Sequence, residues 1–244
     1  MTASERARPS DRRASGAPRR RTALSLDAIV GRALAILDAE GSEALTLRRL
    51  AADLGAGVAS VYWHVDNKDE LLALCYEATM GPLSRQLHER RLDPAAWRAE
   101  LRALLAGLFE LIQSHPWVPE LMSGPQSHGV VMMRIWDQIG DVLAALGLDE
   151  ETVFYATSAL AIQLGGMGLA AARNAYGTDG RESREDRLKQ RAGELALADP
   201  AEYPYIAQSV TQFRDHTERD QFLGGIDLIL DGITARLRPE AGQR

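Results

Sequence analysis

The stretch from Thr46 to Leu72, TLRRLAADLGAGVASVYWHVDNKDELL, constrains the chain more than any other part of it. Leu47, Leu50, Ala51 and Leu54 recur at helical spacing and give a short helix one apolar face. Thr46 stands where an N-cap hydroxyl belongs, and Gly55 stands where that helix must stop. After the Gly55-Ala56-Gly57 link, Val58 to His64 leaves room for two turns of a second helix. Two short helices joined by a three-residue glycine turn make a helix-turn-helix. Ala51, four residues before the turn glycine, is small where the two helices must cross. A unit of this kind presents its second helix to the major groove, so the expectation is a chain that binds double-stranded DNA.

The net charge of −6 runs against that expectation until it is partitioned. Residues 1–22 hold seven arginines against Glu5 and Asp11, a net of +5, which leaves −11 for residues 23–244. Within residues 27–70, Arg32, Arg48, Arg49 and Lys68 face eight acidic side chains. Attraction to phosphate must therefore come from a few placed cations and from the arginine-rich arm, not from a broad basic surface. The arm reads either as a segment that tracks phosphates or a minor groove, or as a solvated tail.

Helices account for the whole pattern, and no convincing period-2 strand is present, so the fold class is all-α. Ser25 caps a predicted helix from Leu26 to Glu40, with Ile29, Ala33, Ile36 and Leu37 on one face and Gly41 as its stop. Asn67 or Asp66 caps a helix predicted over Lys68 to Thr79, ended by Gly81-Pro82. Asp93-Pro94 opens a helix to about His115, and Trp117 to Met122 forms a short one. Longer helices follow at Gly129 to Leu146 and Glu150 to about Tyr176, the latter capped by Asp149. Residues 177–200 read as a charged loop containing at most a turn of helix, before Pro204 to His216 and Arg219 to Leu237. The domains expected are a flexible arm at 1–22, a helix-turn-helix unit at 23–80, and a larger ligand-binding and dimerisation domain at 81–240.

The final helix carries an apolar stripe of Phe222, Ile226, Ile229, Leu230 and Ile233. A preceding helix carries the small residues Gly165, Gly166, Gly168 and Ala170 to Ala172, which permit close helix approach. These helices either pair across a two-fold axis or are buried within one chain, and the need for two DNA half-sites favours a homodimer. The single cysteine, Cys75, rules out an intrachain disulfide and any cysteine-rich zinc cluster. No apolar run follows the early arginines, so no signal peptide is expected. The most apolar stretch, Ala159 to Ala172, is interrupted by Gln163 and too short to span a bilayer. A cytoplasmic protein without a membrane partner follows.

Three strings carry a resemblance. They are Ala33-Leu34-x-x-Leu37-x-x-x-Gly41, Leu45-Thr46-x-Arg48-x-Leu50-Ala51-x-x-Leu54-Gly55, and Val61-Tyr62-Trp63-His64-Val65-x-Asn67-Lys68-x-x-Leu71-Leu72. Together they resemble the tetracycline-repressor (TetR) family over about residues 26–75. Ala96-Trp97, Ser114-His115, the Gly147 to Ser158 stretch and Phe222 to Gly232 extend a weaker likeness to the ligand-binding domain of the tetracycline repressors proper. The resemblance implies an all-helical homodimer that represses transcription and leaves its operator when a small molecule binds. It places DNA contacts at Arg48, Val58, Ala59, Ser60, Tyr62 and Lys68, and the residues themselves add Thr46 and His64. Lys68 begins a helix, so its ammonium and the helix N-terminus can serve one phosphate. Tyr62 reads as a phosphate contact or a core aromatic, Trp63 as a core wedge before a DNA contact, and His64 as either a contact or a packing residue. Val58 and Ala59 replace the polar or proline residues of the tetracycline repressors, so a different operator is expected.

In the C-terminal part, the family's metal-chelating histidine aligns with Met122 and its glutamate partner with Ala170. Neither can hold magnesium, so no metal and no cofactor are expected, and a magnesium–drug complex is not the effector. The family's pocket asparagine and its aromatic neighbour fall at Leu104 and Leu108, and the glutamine is kept at Gln138. A mostly apolar cavity lined by Leu104, Leu108, Met122, Met133, Gln138, Phe154, Thr157 and Ala161 would suit a lipophilic effector of polyketide or terpenoid type. The alternative is that these are ordinary core residues.

Catalysis finds no support in the motifs. His64, His88, His115, His128 and His216 are scattered, and no HExxH, P-loop or nucleophile elbow occurs. Gly165-Gly166-x-Gly168 lies in an apolar run and opens no phosphate loop. The nearer alternative is a regulator of the same fold that activates, or that answers to a protein partner.

Overall fold

The computed structural model describes residues 24–122, 129–175 and 184–237. The arginine-rich arm, His128 and residues 177–183 of the expected loop lie outside them. Eleven α-helices and one 3₁₀ turn make up the described chain, with no strand among the described residues.

The first three helices, α1 (Leu26–Glu40), α2 (Leu47–Asp53) and α3 (Val58–Tyr62), form a helical unit around a shared core. Each start is fixed locally. Ser25 Oγ accepts from the Ala28 amide at 3.2 Å, and Thr46 Oγ1 accepts from the Arg49 amide at 3.2 Å. Gly55 turns the chain at φ +62°, a conformation that costs glycine nothing. Ile29, Ala33, Ile36, Leu37, Leu45, Leu50, Ala51, Val61 and Val65 are at most 1% exposed. The second helix of the motif is shorter than expected, because α3 ends at Tyr62. The Val65 amide still bonds back to the Val61 carbonyl at 3.1 Å, which places Val65 in the core and turns the chain toward Asn67.

Helix α4 (Lys68–Glu89) starts where expected and runs ten residues further. Asn67 Oδ1 accepts from the Glu70 amide at 2.9 Å, and the Glu70 carboxylate accepts from the Asp66 amide, so both ends of the cap are satisfied. Gly81-Pro82 does not stop it. Pro82 lacks the N–H that would bond to the Ala78 carbonyl, but burial of Met80, Ser84 and Leu87 holds the next turns in place. Glu77 and Arg85 form an ion pair at 3.2 Å across this position. Gly81 makes room for it, since a Cβ there would stand 2.6 Å from Glu77 Oε1 and 3.0 Å from Arg85 Nη1. The expected boundary near residue 80 thus falls inside one continuous helix.

The rest is a helical bundle. Asp93 caps a 3₁₀ turn, Pro94–Ala96, that leads into α5 (Trp97–Ser114). Then come α6 (Val118–Met122), α7 (Val130–Ala144), α8 (Glu150–Ala175), α9 (Arg184–Leu195), α10 (Pro204–Asp215) and α11 (Glu218–Leu237). Helix α8 packs against α5, α7 and α11, and α4 lies on both α1 and α7, joining the two parts. Phe109 and Phe222 stack at 4.3 Å between α5 and α11. Three exposed arginine pairs, Arg98–Asp231, Arg102–Asp227 and Arg219–Glu110, clip these two helices at 2.7–2.8 Å. The expected loop after residue 177 contains α9, three turns long, which packs on α10. Local charge density hid it from the sequence pattern, because its partner is another surface helix and not the main core.

The expectation that the apolar run is too short for a membrane is also corrected. The 23 residues Glu150 to Ala172 are apolar and long enough to cross one, since Val153, Phe154 and Tyr155 extend the run and Gln163 alone does not break it. A single such helix is weak evidence of a span, because helices that pack on other helices pass the same test.

Candidate DNA-reading face and effector site

The start of α2, helix α3 and the start of α4 enclose a groove of about 390 Å³. Thr46, Arg48, Val58, Tyr62 and Lys68 all line it, together with Leu45, Leu47, Asp66 and Asn67. Five of the eight residues expected to touch DNA are therefore brought together around one concavity. Ala59, Ser60 and His64 are exposed on α3 and just beyond it, but outside that groove. Tyr62 is 52% exposed, so it is not a core aromatic. Trp63 departs furthest from expectation: it is 88% exposed and wedges nothing. As the C-cap of α3 it points outward, while the neighbouring Val61 and Val65 fill the core in its place.

The cations of this unit fall into two groups. Arg49 is engaged: its guanidinium donates to both Glu40 oxygens and to the Ala44 carbonyl at 3.4 Å. That bond lowers the Glu40 pKa and raises that of Arg49. Arg32 is likewise tied to Asp53. Arg48 and Lys68 have no ion-pair partner among the described residues, and both face the groove. Exposed Arg48 and partly buried Lys68 beside a phenol, a hydroxyl and the amino end of α4 offer phosphate-binding chemistry without a broad basic surface.

The eight residues expected to line an effector cavity separate on folding. Leu104 on α5 (7% exposed), Leu108 (0%) and Gln138 on α7 (5%) are buried, and Met122, Thr157 and Ala161 are partly buried. Met133 and Phe154 are corrected, because at 55% and 65% exposed they stand on the outside of the chain. Their helices turn those positions away from α5. Ala170 is exposed as well, and among the described residues no three His, Cys, Asp or Glu side chains stand close enough to share a metal ion. A distinct cavity of about 400 Å³ lies between α10 and the start of α11, lined by Tyr205, Gln208, Ser209, Gln212, His216 and Gln221 among others. Its wall is mostly apolar surface despite the polar groups of these side chains, and it coincides with none of the expected residues.

Sequence reasoning missed three of four buried hydroxyls, having placed only Thr157 at the expected effector site. Tyr76, Thr79 and Ser84 on α4 and Thr157 on α8 have buried side-chain oxygens with no hydrogen-bond partner among the described residues. An unpaired buried hydroxyl costs about 1–3 kcal/mol. Tyr76 and Thr79 stood at the end of a helix expected to stop at Gly81-Pro82 and Ser84 lay beyond it, so no apolar face marked the three as buried. Burial, with a smaller contribution from Glu77, pushes the Tyr76 phenol up and keeps it a donor. The Cys75 thiol is pushed up to about 12 by burial and by the Asp38 charge, so it is not a reactive thiolate.

With this geometry in place, likeness to known proteins can be read. Residues 92–237 match the tetracyclin repressor-like C-terminal domain, and residues 29–75 match the bacterial regulatory proteins of the tetR family. The chain is 29% identical to the HTH-type transcriptional repressor DrrR1 of Streptomyces coeruleorubidus over 90% of this chain and 81% of that one. Among solved structures, a TetR transcriptional regulator from Streptomyces coelicolor superposes with a TM-score of 0.70 at 32% identity, covering 88% of this chain and all of that one. The Streptomyces coelicolor protein ActR, solved in complex with actinorhodin, gives 0.70 at 26% identity over 91% of this chain and all of that one. The chain belongs to the TetR family of transcriptional regulators: an all-helical protein with an N-terminal helix-turn-helix and a repressor-like C-terminal domain.

Proposed function

We propose that this protein is a transcriptional repressor that binds an inverted-repeat operator as a homodimer and is released by a lipophilic small molecule. The observation that carries the DNA half of this reading is the groove in which Arg48 and Lys68, without ion-pair partners among the described residues, stand with Thr46, Val58 and Tyr62. Its recognition helix offers the valine and alanine methyl groups of Val58 and Ala59 and the hydroxyl of Ser60, a set suited to thymine methyls and a polar base edge. Tyr62, Trp63, His64 and Lys68 take the flanking backbone. The arm at 1–22 adds seven arginines to a chain whose remainder has a net charge of −11.

Pairing uses α8 and α11. Phe154, Tyr155 and Ile162 on α8 and Leu228 on α11 are 59–74% exposed, an apolar set on two helices that already pack against each other. A second copy laid on this face would cover it and form a four-helix interface. DNA reading by residues 23–80 and pairing and sensing by residues 81–240 meet within α4.

The effector belongs among α5, α7 and α8, near Leu104, Leu108, Gln138 and Thr157. The unpaired hydroxyls of Tyr76, Thr79, Ser84 and Thr157 favour a molecule that adds hydrogen-bonding atoms to an apolar frame. Its binding would shift α4 and change the spacing of two reading heads that must match half-sites about 34–36 Å apart. Other solutes that bind without moving α4 would not act.

Selection of genomic DNA fragments by the purified protein tests this reading. Enrichment of an inverted repeat, with release by lipophilic candidates in titration, is the expected result. Recovery of no enriched site at low salt would remove the repressor reading.

A further inference from the structure

We propose that Asp38 on α1 is the positioning residue through which the α5–α6 corner of the C-terminal bundle holds the DNA-reading unit. This rests on the reading of that bundle as the sensing part. Asp38 lies near the end of α1, the helix whose Ile29, Ala33, Ile36 and Leu37 share the core of the helix-turn-helix. One carboxylate oxygen, Oδ1, receives two donors from the corner: the Trp117 indole N–H at 2.7 Å and His115 Nδ1 at 2.8 Å. Trp117 is 1% exposed, so its indole N–H has no route to water, and Asp38 is its acceptor. The His115 and Trp117 rings meet edge to face with centroids 6.2 Å apart, which keeps the two donors in one arrangement. One turn on, Glu120 accepts from the Ser42 hydroxyl at 2.8 Å, a second bond between the same two parts.

The opposite side of the corner is closed by α8. A Cβ at Gly168 would stand 3.1 Å from Ile112 Cδ1 and 3.6 Å from Pro119 Cγ, so α8 already touches α5 and α6 there. The corner is thus held between α8 and α1. A displacement of α8 toward it has Asp38 and Ser42 as its polar outlet, and this route runs beside the covalent one through α4. Charge-assisted bonds to a buried donor have one good geometry, so the corner and the reading unit change together or the bonds break.

Coupling of this kind is reciprocal: if the corner biases the reading unit, an operator bound to the reading unit must bias the corner. The test therefore needs no effector and uses the inverted-repeat duplex recovered by selection as its probe. Amide hydrogen exchange across residues 113–122 is followed in the full-length protein with and without duplex. The wild type should show slower exchange there when the duplex is bound. In Asp38→Ala, and in Trp117→Phe, which keeps a ring but loses the donor, that duplex-induced change should fall about 5-fold or more. Arg102→Ala, on the far side of α5, should leave it intact. Circular dichroism checks that each variant is folded, and half-exposed Asp38 is the variant least burdened by packing. An undiminished change in folded Asp38→Ala, or no change in a wild type that binds the duplex, would overturn the proposal. A wild type that binds no duplex at all would instead remove the DNA-binding reading on which the proposal stands.

Discussion

The two halves of this molecule differ in how complete they are alone. Around α1–α3, the helix starts at Ser25 and Thr46 are capped by their own side chains, the core residues are almost fully covered, and Arg32 and Arg49 are paired. What this unit leaves open is a patch of cations and aromatic rings: Arg48, Lys68 and Tyr62 at the groove and Trp63 at the end of α3. The C-terminal bundle leaves open apolar rings and chains on α8 and α11 outside, and its junction with α4 holds buried hydroxyls without a partner among the described residues. The first half is a finished part with a contact surface. The second has the surface of a part awaiting partners, the contrast expected if the one reads DNA and the other pairs and senses.

Breaking the bundle should have the largest effect. Phe109→Ala removes one ring of the stack with Phe222 in a fully buried site and should cost about 3–5 kcal/mol in denaturant unfolding. A loss below about 1 kcal/mol would mean that α5 and α11 are held mainly by their surface ion pairs. Ile162→Asp should next leave the monomer folded but weaken self-association by about 2 kcal/mol or more, read by sedimentation velocity across a dilution series. Operator affinity should fall with it, and a variant that stays dimeric would move the pairing face off α8. On the reading side, Arg48→Ala should weaken operator binding by about 1–3 kcal/mol while leaving unfolding unchanged, because its guanidinium makes no ion pair among the described residues.

Two smaller effects sharpen the contrast. Ser84→Ala should leave stability level or raise it by up to about 1 kcal/mol, since the hydroxyl is buried without a partner. A clear loss would reveal an internal partner and weaken the case for an effector there. Arg102→Ala should change stability least, by under about 1 kcal/mol at neutral pH, as expected of an exposed pair. Its signature is in acid. The hydrogen bond from Arg102, and then its charge, hold the Asp227 carboxyl below its ordinary range. That contribution is present above the ordinary carboxylate range and is lost as pH falls through the lowered value, so the variant should show a shallower acid limb than the wild type.

What the sequence made legible follows the range of the forces involved. Caps, turn glycines and one-sided apolar spacing act within a few residues, so Thr46, Gly55, Asn67, Asp93 and Asp149 marked helix starts and stops without any knowledge of the fold. The same local logic misplaced the end of α4, where burial of Met80, Ser84 and Leu87 outweighs the missing bond at Pro82. It also misjudged Trp63, since a large aromatic beside Val61 reads as core until the core is seen to be filled by Val61 and Val65. The proposed lining of the effector site depended on the rotation of α7 and α8 about their own axes. That rotation is set by long-range packing, and it turned Met133 and Phe154 outward.

Pro82 gives α4 the mechanics of a lever with a flexure. From Lys68 to Pro82 the arm is about 21 Å long at 1.5 Å of rise per residue, so a tilt of about 5° at the proline would swing the Lys68 end by roughly 2 Å. The Glu77–Arg85 pair straddles the flexure like a splint on the outer side, solvent-exposed and therefore weakened by salt. A small angular input from the bundle could thus emerge as a stroke large enough to misplace a reading head, with ionic strength setting the stiffness of the joint.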